Sequence, residues 1–118
     1  MNRKITTPMP EDANRFVMEL DTNFPERHDG AVPVEAFRKR LDFLNKAKWV
    51  STNRPNFLET AVNSLTAWAK EQGLTGDDLT IITRGKNKKG EEVDVIRLSK
   101  ALVQRIHDAI AQEMMPVL

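Results

Sequence analysis

The stretch that most constrains this chain is 79–98, which reads LTIITRGKNKKGEEVDVIRL. Two β-branched runs, Leu79–Thr83 and Val93–Ile96, flank a glycine-bounded tip, Gly85–Gly90. Val, Ile and Thr suit a pleated, half-buried surface, and Gly and Asn supply the left-handed backbone angles of a turn. Two such runs joined by a short Gly-containing link read as a β-hairpin. Helical patterns lie on both sides, so the hairpin is expected to be the only regular β-structure. Lys86, Lys88 and Lys89 sit at its tip, with Arg84 just before them.

The helices follow from apolar spacing. Pro10-Glu11-Asp12 opens the first, since proline suits a first turn and acids there complement the helix dipole. Ala13, Phe16, Val17 and Leu20 form its stripe, and Pro25–Gly30 is expected to end it in a loop. A second helix is predicted over Val34–Lys46, with Val34, Phe37, Leu41 and Leu44 inward. Phe43 falls off that stripe and is expected to cover a neighbouring helix, the alternative being a surface anchor. Ser51-Thr52-Asn53-Arg54-Pro55 is a helix-start signal. The third helix then runs over about Pro55–Gln72, with Leu58, Ala61, Val62, Leu65 and Ala69 buried and Phe57 and Trp68 on the shoulder. Gly73 is the expected left-handed C-cap. Ser99 caps a last helix over about Lys100–Met114, and residues 1–9, which lack a pattern, are expected to form a loose tail.

This is one α+β domain over 1–118, mostly helical: three helices, a hairpin and a C-terminal helix, in winged-helix-like order. At 118 residues such a chain buries a core without staples. It has no cysteine, which excludes disulfides, thiolate metal sites and a thiol nucleophile and favours an intracellular, cytoplasmic reading. The basic opening meets proline and acids instead of an apolar run, so no secretion signal is expected. No run approaches the ~18 consecutive apolar residues of a membrane span.

Catalytic chemistry needs an activated nucleophile or an open metal position. The two imidazoles are His28, beside Asp29 in a polar loop, and His107, next to core residue Ile106. His107 and Asp108 face about 100° apart on a helix and have no second His at the metal-pair spacing. Asp77-Asp78 and Glu91-Glu92 could offer oxygen ligands to a divalent cation, but neighbouring acids on a strand point to opposite faces. No phosphate-cradling glycine loop is present. The expectation is therefore a non-enzymatic protein without catalytic residues, metal or cofactor.

Binding is the better reading. The net charge is only +1, but basic residues cluster in 31–60 (Arg38, Lys39, Arg40, Lys46, Lys48 and Arg54) and again on the hairpin. In a helix-turn-helix arrangement the later helix enters the DNA major groove. Here it would present Arg54, Asn56, Thr60 and Asn63. Asn can pair bidentately with adenine and Arg with guanine. Arg84, Lys86, Lys88 and Lys89 on the wing, with Lys46 and Lys48 on the approach, would reach phosphate. The link from Ala47 to Arg54 is longer than the usual helix-turn-helix turn. Glu91, Glu92 and Asp94 also offset part of the wing's charge.

Three segments, Trp68–Ile81 (WAKEQGLTGDDLTI), Lys88–Glu92 (KKGEE) and Ile96–Leu102 (IRLSKAL), resemble the helix, strand, hairpin and helix of phage antirepressor N-terminal domains. The resemblance covers about residues 65–104. It implies a phage- or plasmid-type regulator that binds DNA and oligomerises. The competing class is a protein-interaction module, an adaptor or inhibitor of a host protein. Phe43, Trp49, Phe57 and the apolar end Met114–Leu118 are its contact candidates. A homodimer through the final helix fits the same features.

Overall fold

A computed structural model describes residues 7–24, 31–46 and 56–112, the side chains of 44–46 aside. The elements run α1 (Glu11–Asn23), β1 (Ala31–Pro33), α2 (Val34–Lys46), α3 (Phe57–Glu71), a 3-10 turn (Gly76–Leu79), β2 (Ile82–Lys86), β3 (Glu92–Arg97) and α4 (Lys100–Ala111). The three strands form one antiparallel sheet in the order β1-β3-β2. The class is α+β and mostly helical, with the three-helix, hairpin and helix order read from the sequence.

The spacing rules act at each helix. α1 buries Ala13, Phe16, Val17 and Leu20, one stripe at helical spacing. α2 has the predicted bounds and buries Phe37 and Leu41. Phe37 meets Phe16 edge to face, with ring centroids 5.4 Å apart, and so locks α2 to α1. α3 lies against α1, and this central position widens its buried face. Phe57 and Trp68, expected on its shoulder, are 3% and 2% exposed. The Trp68 indole N–H donates to the carbonyl of Thr7 at 2.8 Å, and Met9 is buried. The last residues of the stretch expected to be a loose tail are therefore held against the body.

α3 ends in a Schellman motif. Gly73 takes a φ of +89°, its N–H donates to the carbonyl of Lys70, and Leu74 N–H donates to that of Ala69. At its start Asn56 adopts a left-handed conformation (φ 62°), a role Asn tolerates better than most residues. The capping candidates Ser51–Asn53 lie outside the described residues. Ser99 caps α4 as expected, its hydroxyl accepting from Leu102 N–H at 3.0 Å.

Three expectations need correction. The hairpin is not the only β-structure, because Val32 of β1 pairs with Ile96 of β3. A three-residue strand ending in proline carries no readable alternation. The first hairpin strand begins at Ile82 instead of Leu79, because Thr80 N–H returns to the carbonyl of Asp77 and winds Gly76–Leu79 into a 3-10 turn. Phe43 is 57% exposed, not core, since no described element packs on its side of α2.

Candidate nucleic-acid interface

β2 and β3 leave the body as a ribbon that buries little beyond its base. Every residue of β2 except half-buried Gly85 is exposed, whereas Val95 and Ile96 of β3 are buried. Gly85 permits the close crossing. A Cβ there would stand 2.9 Å from a γ-methyl of Val95, so any larger residue would make the buried Val95 side chain or its strand shift. On the exposed face Arg84 lies directly across from Asp94, and the two form an ion pair at 3.1 Å.

The tip is built by Asn87. Its backbone N–H donates to the carbonyl of Glu91, and Gly90 N–H donates back to the carbonyl of Asn87. Lys88, Lys89 and Gly90 thus form a three-residue hairpin loop, with Gly90 in the left-handed conformation (φ 81°) that closes such loops. The Asn87 side-chain oxygen accepts from the backbone N–H of Lys89 and of Glu91, each at 3.0 Å. Its amide nitrogen donates to the Glu91 carboxylate. Lys86, Lys88 and Lys89 are exposed, and among the described residues none of them is in an ion pair. Lys86 faces Glu92 across the ladder. The result is a hydrogen-bonded turn with two ammonium groups in its loop and a third at the end of β2, none in an ion pair among the described residues.

The exposed flank of α3 is polar. Asn56, Glu59, Thr60, Asn63 and Lys70 recur at helical spacing and face solvent, uncovered by other described elements. Glu59, the one acid in the first half of that flank, is taken by Arg38 of α2 in a close ion pair. The Arg38 hydrogen bond, with a smaller contribution from the backbone at Glu59, holds this carboxyl below its ordinary range. The pair ties α2 to α3 and neutralises the charge that would most oppose a polyanion.

The remaining expected residues divide cleanly. Lys48 and Arg54, and the side chain of Lys46, lie outside the described residues, as do His28, Asp29, Trp49, Met115 and Leu118. Phe57 is buried and leaves the list of exposed contact candidates, whereas Phe43 stays on it. His107 is exposed on α4, and Asp108 beside it is engaged by Gln104 and Arg105. Among the described residues no group of three His, Asp or Glu side chains could hold a metal ion. No helix among them is long and apolar enough to cross a membrane. Sequence reasoning missed Asn87 as the organiser of the tip. The signal was present in Asn-Lys-Lys-Gly, since Asn favours the first and Gly the last position of a four-residue turn. It also missed the Arg38–Glu59 pair, whose partners are 21 residues apart and meet only through tertiary packing.

No protein-family model, curated relative or solved structure matches this chain.

Proposed function

We propose that this protein is a non-enzymatic, DNA-binding regulator of winged-helix-like design. In this reading Asn56, Thr60 and Asn63 on α3 approach base edges, and Lys86, Lys88 and Lys89 on the wing neutralise phosphates. Arg84 steadies the wing through Asp94. The observation that carries the reading is the hairpin tip: a hydrogen-bonded turn that displays three lysines without ion pairs, on a ribbon that buries little else. Lysines beside the edge strand β2 also discourage pairing with other chains, and three of them within four residues make the concentrated positive charge that a phosphate backbone would meet. The uncovered polar flank of α3 and the neutralisation of Glu59 by Arg38 support the same reading. The resemblance of residues 65–104 to phage antirepressor N-terminal domains supports a regulatory setting of phage or plasmid type.

Mobility-shift titration against generic duplex DNA over a range of salt concentrations tests the proposal. Binding is expected to weaken steeply with salt, because each neutralised phosphate releases counterion. The variant with Lys86, Lys88 and Lys89 changed to Glu is expected to bind at least tenfold more weakly. Changing the same lysines to Ala should flatten the log–log salt slope by roughly 3. Both variants should keep the wild-type melting temperature. An unchanged affinity in the folded Glu variant would rule out the wing as the contact.

A further inference from the structure

Between the C-terminal end of α1 and the outer side of α2 runs an open groove of about 490 Å³. Its lining includes Asn23 at the end of α1, Phe24 just after it, and Lys39, Arg40 and Phe43 from α2. Phe24 packs onto Phe37 and forms an apolar wall. Phe43, exposed on the other side, carries the Arg40 guanidinium 4.8 Å above its ring. Arg40 Nε is shielded from solvent and has no hydrogen-bond partner among the described residues, and the guanidinium has no acid beside it there. Lys39 adds a second cation, in an exposed pair with Glu35 at 3.5 Å, and among the described residues no carboxylate lines the groove.

We infer that this groove docks an acidic peptide segment of a partner protein, a carboxylate on Arg40 and an adjacent apolar side chain between Phe24 and Phe43. Charge complementarity selects the carboxylate. The guanidinium fork matches its geometry, and a second cation stands one residue away. An aromatic ring beside an arginine is also the composition of residues that dominate protein interfaces. One detail favours a peptide over a phosphate backbone. Asn23 spends its amide nitrogen on Glu19, at 2.6 Å from the carboxylate and 3.1 Å from the carbonyl. Its side-chain oxygen is left as an acceptor, which suits the N–H groups of a peptide and does nothing for phosphate. The site is distinct from α3 and the wing, and the inference stands whether or not those bind DNA.

The test is a titration of isotopically labelled protein, followed by backbone amide resonances, with a blocked peptide of three Glu-Leu repeats. Expected are saturable shifts centred on residues 22–24 and 36–43, with a dissociation constant at or below about 1 mM. Arg40→Gln and Phe43→Ala should each weaken binding at least fivefold. Arg40→Lys, which keeps the charge but loses the fork, should also weaken it. The Lys86, Lys88 and Lys89 to Glu variant should bind the peptide as wild type does, which separates this inference from the wing. Any of four results would overturn it: no saturable shift at about 5 mM peptide, equal shifts from a Lys-Leu peptide, unchanged binding by the folded variants, or tighter binding of oligodeoxythymidylate at the same amides. A concentration-dependent doubling of mass that Phe43→Ala abolishes would also overturn it, assigning the groove to a second copy of the chain.

Discussion

Replacing Asn87 by Ala removes three hydrogen bonds from the hairpin tip and none of its charge. If the wing binds phosphate as a fixed array, this variant should lose about 1 kcal/mol of duplex affinity, roughly fivefold, because the loop must be ordered on binding. Fluorescence anisotropy with labelled duplex would measure the loss. Equal affinity would mean that the lysines act as a loose charge cloud. Gly90→Ala probes the same tip through the backbone. Its Cβ would meet nothing, but the φ of +81° costs an L-residue about 1–2 kcal/mol, visible as a lower melting temperature. Trp68→Phe leaves the carbonyl of Thr7 without its donor and should cost a similar amount, with faster amide exchange near Met9.

Among the elements, the α2–α3 pair is set by packing and pinned by one exposed ion pair. Arg38 and Glu59 are each about half exposed, so the pair contributes only ~0.2–1 kcal/mol. Its pH dependence has a definite sign. The Glu59 carboxyl titrates lower when folded than when unfolded, so the stabilisation is complete at neutral pH. It is lost as pH falls below the ordinary Glu value of 4.5 and through the lowered folded value. Arg38→Ala should therefore lower the melting temperature at neutral pH by a degree or two and have less effect in acid. A difference that persists unchanged at acid pH would show that Arg38 acts through packing alone. In the wing the register is set by the β2–β3 ladder itself, and the exposed Arg84–Asp94 pair adds no more than Arg38–Glu59 does.

For the molecule as a whole, stability and recognition reside in different parts. The core gathers residues from α1, α2, α3, α4 and the inner sheet face around Phe16, Phe37, Trp68 and Ile96. Phe16→Ala opens a cavity at a fully buried position and should cost about 3–5 kcal/mol, a large share of what holds a domain of this size. Denaturant unfolding would measure it. The lysines of the hairpin, the polar side chains of the α3 flank and Phe43 are exposed outside that core, so replacing Lys86, Lys88, Lys89, Asn63 or Phe43 should change binding with no more than about a few tenths of a kcal/mol lost from stability.

The sequence by itself determined the helices, because each buries a stripe long enough to register at 3.6-residue spacing, and local signals mark ends, such as the stop at Gly73 after α3 and the start at Ser99 before α4. It also determined that a lysine-tipped hairpin exists, since β-branched runs and turn residues are local chemistry. Tertiary structure decided what local pattern cannot carry. Three residues at 31–33 become a strand only because the free edge of β3 accepts them. Phe57 and Trp68 are buried while Phe43 is not, because neighbours cover one helix and leave the other's outer side open. The pairing of Arg38 with Glu59, and the cation held over Phe43 with no acid beside it among the described residues, depend on which surfaces meet, and that is a property of the packed chain.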